Sequence, residues 1–293
     1  MKVEPDVPLA RYTTLGTGGA ARLFALPDTL AELGEALALA EHEGVSVAVV
    51  GLGSNLLAAD ESVDRLVIRL AGELATVTVD GELVSAGGGA TNAVVLHRAR
   101  QAGLGAFEFA SAIPGTTGGG VWMNAGAYGR DFSQVLERAL VVTASGADWL
   151  TPRDLGLTYR HSALRDGQVV ARVELRLVPR DPRDIKATVS ELQARRKAAQ
   201  PTNKRTFGSV FKNPEHELTA GRMLEGCGLK GYRMGGAQIS PMHANFIENA
   251  GDARSEHAIA LMAEARRRAF DKYGVELHHE VRFLELPELP PVR

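Results

Sequence analysis

Apolar residues recur at helical spacing in five stretches of the chain. In the first of them, Leu30, Leu33 and Leu37 fall on one face, Asp28 can cap the start and Gly44 closes the end. This pattern predicts a helix over residues 28–44. The same reasoning predicts four further helices, over residues 91–102, 184–199, 218–227 and 255–273.

Short apolar or alternating runs predict strands between these helices. The clearest signal is the turn pair Asp80-Gly81, which predicts that the runs 74–79 and 82–86 form a hairpin. The remaining predicted strands cover residues 45–50, 63–70, 138–144, 168–178 and 275–286, whereas residues 206–214 and 228–241 are predicted to be loops.

A charged, proline-containing joint, Arg180-Asp181-Pro182-Arg183, follows the strand-rich part of the chain. It predicts an α+β protein with a domain boundary near residue 180. Residues 1–180 form the first predicted domain, in two lobes of about 1–70 and 71–180. Residues 181–293 form a smaller α+β domain, whose last strand is placed to pack back on the first lobe.

Charge and cysteine content narrow the class of protein. The chain has 33 Lys and Arg against 35 Asp and Glu, so it lacks the basic excess of proteins that bind nucleic-acid backbones. Its single cysteine, Cys227, cannot form an internal disulfide. The first residues lack the apolar core of a signal peptide, and no stretch is apolar enough to predict membrane insertion. These features predict a cytoplasmic protein with no nucleic-acid partner and no obligate protein partner.

Glycine is the residue that points to a ligand. The chain has 32 glycines in 293 residues, and fifteen of them lie between Gly51 and Gly129. Glycine is needed where φ is positive or where a backbone approaches another group closely. A single cluster is typical of a tight turn, whereas several clusters in one folded region indicate a ligand lying against backbone amides.

The common nucleotide motifs do not account for these clusters. The sequence contains no P-loop, and the G-x-G-x-x-A match at Gly16–Ala21 lacks the preceding strand and following helix of a dinucleotide fingerprint. Two segments have suitable chemistry, Gly51–Asn55 and Ile113–Gly120, the second continuing to Gly129. Their amides and hydroxyls are predicted to form an anion-binding nest between strands, without a helix, for a pyrophosphate joined to a flat ring system.

In these two segments, the sequence resembles the shorter class of the MurB family. Its members are the UDP-N-acetylenolpyruvoylglucosamine reductases, also called UDP-N-acetylmuramate dehydrogenases. Further matching stretches follow in order along nearly the whole chain: Tyr159-Arg160-His161-Ser162, Gly208 to Pro214, Leu229-Lys230-Gly231 with Gly235-Gly236-Ala237, and Glu280-Val281-Arg282-Phe283. The resemblance implies a two-lobed FAD-binding domain of the PCMH/vanillyl-alcohol-oxidase type and a smaller α+β substrate-binding domain.

The resemblance also implies a reaction and a set of site residues. NADPH would reduce bound FAD, and the enolpyruvyl ether of UDP-N-acetylglucosamine would then take a hydride at C3 and a proton at C2 to give UDP-N-acetylmuramate, a peptidoglycan precursor. Arg160 would stabilise the enolate, Ser209 would donate the proton, and Glu280 would hold a proton or polarise the substrate carboxylate. Lys212 and Asn213 would bind the UDP part. The expected FAD-binding residues are Gly51, Gly53, Ser54, Asn55, Leu56, Gly115, Thr116, Gly119, Gly120, Asn124 and Ala127.

Two other functions fit the glycine segments. A flavin oxidase of the same binding fold acting on a small alcohol would share the segments but would not need Gly208–Pro214. A non-catalytic nucleotide-binding module is the second alternative. A metal site is not expected, because adjacent residues such as His278 and His279 point to opposite faces of a strand.

Overall fold

The computed structural model of the protein describes residues 1–292. Its helices are α1 (Leu30–Glu43), α2 (Asn92–Gln101), α3 (Thr117–Trp122), α4 (Pro182–Ala199), α5 (Ala220–Gly226) and α6 (Ser255–Tyr273). The five helices predicted from the sequence are confirmed with small shifts at their ends, and the bounds of α6 are those predicted. Within residues 1–292, no helix is both long and apolar enough to span a bilayer.

The ends of α1 and α6 show how local chemistry fixes the helices. Thr29, rather than the predicted Asp28, caps α1, since its side chain accepts the Glu32 N–H at 3.2 Å. Gly44 ends α1 in the left-handed conformation, as predicted. The start of α6 is capped from a distant part of the chain, because the Asp60 carboxylate accepts the N–H groups of its first two residues at 2.8 and 3.0 Å.

The strands are short and form several sheets. They are β1 (Lys2–Pro8), β2 (Ala20–Leu26), β3 (Ser46–Val49), β4 (Leu56–Ala58), β5 (Val63–Ile68), β6 (Val77–Asp80), β7 (Leu83–Gly87), β8 (Leu104–Gly105), β9 (Gly126–Ala127), β10 (Arg130–Asp131), β11 (Leu136–Thr143), β12 (Gly146–Leu150), β13 (Val169–Arg176), β14 (Val178–Pro179), β15 (Thr206–Ser209), β16 (Arg233–Met234), β17 (Ala237–Ile239), β18 (Phe246–Asn249) and β19 (Arg282–Leu284).

The chain divides into two compact units that differ from the predicted domains. The first unit contains residues 1–5, 22–52 and 64–196, and the second contains residues 6–21, 53–63 and 197–292. Most of α4, predicted to lie in the second domain, therefore belongs to the first unit. Two segments of the predicted first lobe belong to the second unit.

The first unit is built on two sheets. One has the order β1-β2-β5-β3, and the other has the order β12-β11-β13-β7-β6. In the second sheet β6 and β7 form the predicted hairpin, with Asp80 opposite Leu83. Val169 and Ala171 of β13 join the core around α1, whereas Val170, Val173 and Leu175 join the core around α2 and α3. The alternation of faces along β13 changes phase at a bulge, where the pairing with β11 skips Ala171.

The second unit packs α5 and α6 around a four-stranded sheet of order β15-β18-β17-β16. Its core includes Phe207, Val210 and Phe211, all fully buried. A separate parallel pair joins β19 to β4, so the last strand pairs with residues 56–58. This second unit carries the segments around Ser209 and Glu280.

Three sequence-based predictions of local structure are wrong in part. The predicted loop 206–214 begins with β15, and the predicted loop 228–241 contains β16 and β17. The predicted strand 275–286 reduces to β19 and one isolated bridge. The partners of β15 and β19 are β18 and β4, which are distant in sequence, so local patterns could not reveal these two strands. In contrast, β16 and β17 pair with each other across Gly235-Gly236, a local hairpin that the sequence analysis missed.

Candidate functional site

The two predicted pyrophosphate segments meet in the first unit at Gly51 and Thr116. A Cβ on Gly51 would lie 2.6 Å from the Thr116 hydroxyl, so the absence of a side chain at Gly51 leaves room for that hydroxyl. The Thr116 hydroxyl in turn accepts the Gly119 N–H at 3.4 Å and caps α3. The second segment thus contains a short helix, α3, and the prediction of a nest without a helix is wrong.

Several amides of this second segment are used within the protein. The N–H groups of Thr117, Gly118 and Gly120 donate to the carbonyls of Ala90, Gly88 and Thr116 at 2.8, 2.9 and 2.8 Å, respectively. Such bonds fix the shape of the segment. The amides of these three residues therefore hydrogen-bond within the protein and stabilise the fold.

The glycines of α3 differ in the space available for a side chain. A Cβ on Gly120 would lie 2.3 Å from the Phe132 ring, and a Cβ on Gly118 would lie 2.9 Å from the Gly88 carbonyl oxygen. At Gly119 the nearest heavy atom would be the Thr116 hydroxyl at 3.5 Å, an ordinary contact. Gly119 is exposed, and its φ is not left-handed. Packing thus requires glycine at 118 and 120 but leaves open space beside 119.

The side chain of Asn124 is buried, and it bonds to backbone groups. Its Nδ2 donates to the Thr158 carbonyl at 2.9 Å, and its Oδ1 accepts the Ser133 N–H at 2.9 Å. Ala127 lies nearby on β9, which pairs with β10. Asn124 therefore holds the turn that begins at Thr158.

This turn, residues 158–161, presents Arg160. Backbone bonds between Thr158 and His161 close the turn, and Arg160 itself has a left-handed φ of 53°. The Arg160 guanidinium donates to the Gly126 carbonyl at 2.5 Å. The Ser162 hydroxyl ties the far side of the turn to the Trp122 carbonyl at 2.6 Å. The turn is thus held at both ends, and its cation is half-buried.

In the second unit, Gly53 and Asn55 are fixed by the fold. Gly53 has a φ of 64°, and a Cβ there would lie 1.9 Å from the Tyr12 carbonyl oxygen. Asn55 donates from Nδ2 to the Glu280 carbonyl at 3.2 Å, and its own carbonyl accepts the Arg282 N–H at 3.0 Å. Ser54 lies between them, and Leu56 begins β4. Asn55 therefore contributes to positioning Glu280.

The structure brings Ser209 and Glu280 into neighbouring segments. The Glu280 N–H donates to the carbonyl of Val210, the residue after Ser209, at 2.8 Å. Lys212 N–H donates to the His278 carbonyl at 2.9 Å, so the two segments run side by side. Ser209 and Glu280 are both half-buried. A hydroxyl, a carboxyl and an ammonium group are therefore presented along one pair of segments.

Asn213 has a different environment. Its side chain is exposed, and Oδ1 accepts the Ala220 N–H at the start of α5 at 3.2 Å. This bond supports the helix. It places the Asn213 carboxamide at a helix end rather than in the paired segments.

Sequence reasoning missed Asn245 and His243, which support these segments. Asn245 is 4% exposed, and its side chain bonds to both backbone groups of Phe211. His243 Nδ1 accepts the Asn245 N–H at 3.2 Å, and burial lowers the pKa of the His243 imidazole, which favours the neutral ring that this bond needs. No short-range signal marks Asn245, because its partner Phe211 lies 34 residues away.

Two further observations concern the chemistry of the site. No group of three or more His, Cys, Asp or Glu side chains within residues 1–292 is arranged to hold a metal ion. Burial raises the pKa of the Cys227 thiol, which favours its protonated form.

Two family models match separate parts of the chain. Residues 21–148 match the family model of an FAD binding domain, and residues 200–284 match that of the UDP-N-acetylenolpyruvoylglucosamine reductase C-terminal domain. The second match contains Ser209, Lys212, Asn213, Asn245 and Glu280.

Relatives resemble the chain over nearly its full length. UDP-N-acetylenolpyruvoylglucosamine reductase 2 of Symbiobacterium thermophilum is 42% identical, across 99% of this chain and 95% of the relative. The reductase of Rubrobacter xylanophilus is 40% identical, across 96% and 95%. The crystal structure of the reductase from Thermus caldophilus has a TM-score of 0.85 at 37% identity, covering 97% of this chain and 99% of that one. The predicted α+β fold class, with an FAD-binding domain and a smaller second domain, is confirmed.

Proposed function

The chain belongs to the UDP-N-acetylenolpyruvoylglucosamine reductase family, and on that premise we propose that it reduces UDP-N-acetylglucosamine enolpyruvate to UDP-N-acetylmuramate with FAD and NADPH. The predicted FAD-dependent oxidoreductase is confirmed at the level of the family. We place the reaction in peptidoglycan precursor synthesis in the cytoplasm, where NADPH and nucleotide-linked sugars are made.

The open space beside Gly119 supports FAD binding in the first unit. Packing explains the glycines on either side of Gly119 but does not explain Gly119 itself. A backbone without a side chain at an exposed position allows a ligand to approach closely. We therefore assign Gly51, Gly115, Thr116 and Gly119 to FAD, with the pyrophosphate next to them. The structural roles of Gly120 and Asn124 support these residues indirectly.

Gly53, Ser54, Asn55 and Leu56 in the second unit remain predicted FAD residues, as does Ala127 in the first. Gly53 is required by the fold in any case, because of its positive φ and its approach to Tyr12. A test of FAD binding at Gly53 would therefore be confounded by unfolding. Gly119 offers the cleaner test.

The chemistry that FAD supplies when bound is the relay of a hydride from NADPH to C3 of the enolpyruvyl group. Arg160 is proposed to bind the substrate carboxylate. Its planar fork of N–H donors can make a two-pronged contact that strengthens as the carboxylate becomes an enolate. The bonds from Asn124 and Ser162 hold the turn so that the guanidinium is oriented before substrate arrives.

Ser209 is proposed to donate the proton to C2. Addition of a hydride at C3 and a proton at C2 converts the enolpyruvyl double bond into the lactyl ether. A hydroxyl is a weak acid, so it can protonate only a strongly basic centre, and the enolate carbon is such a centre. The backbone bonds of Val210 and Glu280 keep the Ser209 segment in place.

Glu280 and Lys212 complete the proposed substrate contacts. Glu280 is proposed to hold a proton or polarise the substrate carboxylate, and Lys212 to meet the UDP phosphates as a point charge. Asn213 stays a proposed substrate residue. Its bond to α5 uses only the carbonyl oxygen of the carboxamide, which leaves the amide nitrogen to donate elsewhere.

The observation that carries the proposal is the pairing of the Ser209 and Glu280 segments within the region that matches the reductase C-terminal domain. A flavin oxidase of small alcohols has no use for this domain and is not favoured. Measurements on the purified protein distinguish the reductase from the oxidase. We expect the absorption bands of bound flavin and NADPH consumption that requires the enolpyruvyl substrate and no oxygen. Oxygen consumption with a small alcohol and no demand for NADPH would support the oxidase instead, and a colourless protein that ignores added FAD would support a binding module.

A further inference from the structure

The segment from Ser209 to Lys212 is hydrogen-bonded along both edges. On one edge, the Val210 carbonyl accepts the Glu280 N–H at 2.8 Å, and the Lys212 N–H donates to the His278 carbonyl at 2.9 Å. On the other edge, the Val210 N–H donates to the Asn245 carbonyl at 2.9 Å. The segment therefore behaves as a central strand, although only its beginning lies in β15.

Beyond Val210, the second edge is completed by a side chain. Asn245 Oδ1 accepts the Phe211 N–H at 3.0 Å, and Asn245 Nδ2 donates to the Phe211 carbonyl at 2.8 Å. A carboxamide has the same donor and acceptor as a peptide group, so it can replace a paired strand residue. Both Phe211 groups are buried, and without Asn245 they would lose their partners.

We propose that Asn245 is a positioning residue for proton delivery. It fixes Phe211 and Val210, and through them it sets the position of Ser209 on one side and of the Glu280 backbone on the other. The proposal rests on the proposed function, since it assigns Asn245 a role in the substrate half-reaction. Asn245 does not itself touch the reacting atoms in this account.

The substitution Asn245→Asp removes one bond at nearly constant size. The carboxylate still accepts the Phe211 N–H, but it cannot donate to the Phe211 carbonyl and repels it. The segment should shift, and a misplacement of about 1 Å can cost roughly 100-fold in rate. We expect reoxidation of the reduced enzyme by the enolpyruvyl substrate to slow on the order of 10- to 100-fold. Reduction by NADPH should keep its parent rate, because that step needs no proton from Ser209.

Asn249→Asp is the matched control. Asn249 lies half-buried on β18. Like Asn245, it bonds only backbone groups: its Nδ2 donates to the Leu15 carbonyl, and its Oδ1 accepts the N–H groups of Gly251 and Ala253. The same change there should lower stability and leave the substrate half-reaction unaltered. Slowing of that half-reaction to the same extent in Asn249→Asp would overturn the proposal, because it would indicate general loosening.

A double-mutant cycle separates positioning from a merely structural role. If Asn245 acts through Ser209, Asn245→Asp should slow reoxidation far less in a Ser209→Ala background than in the parent. The proposal would be overturned if the rate reductions caused by Asn245→Asp and Ser209→Ala multiplied fully in the double variant. Equal slowing of both half-reactions by Asn245→Asp would also overturn it. If Asn245→Asp does not fold, Asn245→Ser, which leaves room for a bridging water, is measured by the same cycle. A parent protein that is not reoxidised by the substrate would instead refute the proposed function, before any variant is compared.

Discussion

Replacing Gly119 with alanine should weaken FAD binding and leave the fold intact. The new Cβ would meet only the Thr116 hydroxyl, at 3.5 Å, and the backbone there is not left-handed. Gly119 lies in α3, where Gly→Ala stabilises a helix by up to about 1 kcal/mol. The unfolding free energy without FAD should therefore stay constant or rise.

The cost should appear only when FAD is bound. A methyl group forced into a close-packed contact costs roughly 1–3 kcal/mol, which corresponds to FAD affinity about 5- to 150-fold weaker. Valine, which is larger, should bind less FAD still. The assay is a titration of flavin-free protein with FAD, followed by flavin fluorescence, beside thermal unfolding with and without FAD.

Two further glycines serve as controls. Gly34 also lies in a helix, α1, and a Cβ there would meet no atom within 4 Å beyond the adjoining backbone of that helix, so Gly34→Ala should give the same stability change and parent FAD affinity. Gly120→Ala should fail to fold normally, since its Cβ would lie 2.3 Å from the Phe132 ring. Unchanged FAD affinity in Gly119→Ala would refute the reasoning, because the open space would then have no ligand to accommodate.

The remaining predictions concern catalysis and stability. Arg160→Lys should slow substrate reduction at least about tenfold, the loss of one charge-assisted hydrogen bond, and near-parent turnover would remove Arg160 from the site. Ser209→Ala should keep flavin reduction by NADPH and slow reoxidation by substrate on the order of 10²–10⁴-fold; stopped-flow absorbance that shows both steps slowed alike would indicate a packing defect. Asp60→Ala should lower the unfolding free energy by about 1–2 kcal/mol, because α6 loses its cap. The control Asp64→Ala removes only an exposed ion pair and should cost at most about 1 kcal/mol. Equal losses of the two variants in urea unfolding would contradict the capping role of Asp60. Burial lowers the pKa of His243, so the stability that its neutral ring contributes is present above the ordinary pKa of about 6.5 and is lost as the pH falls from there towards the lowered value. His243→Gln should flatten that part of the curve of stability against pH. An unchanged curve would argue against a contribution of His243.

Local patterns predicted those elements whose signals are local. The helix α6 carries its apolar period and its terminal Gly274 within the sequence itself, and the Asp80-Gly81 hairpin carries its own turn. The predicted FAD and catalytic residues came from the resemblance rather than from periodicity. Within the glycine segments, sequence did not distinguish packing glycines from the one at 119.

The rest depended on partners distant in the chain. Three consecutive glycines argue against a helix, yet α3 forms because its residues bond and pack against residues 87–90 and Phe132. The strand β15 contains Gly208 at a φ of 85°, which obscures its strand pattern. Asn245 pairs like a strand residue only because the fold brings it beside Phe211.

The most direct test of the account is an anaerobic assay of the purified protein with NADPH and UDP-N-acetylglucosamine enolpyruvate. NADPH oxidation is measured by absorbance, and the product is identified by mass spectrometry. The account predicts that NADPH oxidation beyond the one equivalent that reduces the bound FAD requires the enolpyruvyl substrate, with one UDP-N-acetylmuramate formed for each further NADPH. NADPH oxidation that proceeds equally without the substrate, or that yields no UDP-N-acetylmuramate, would contradict it.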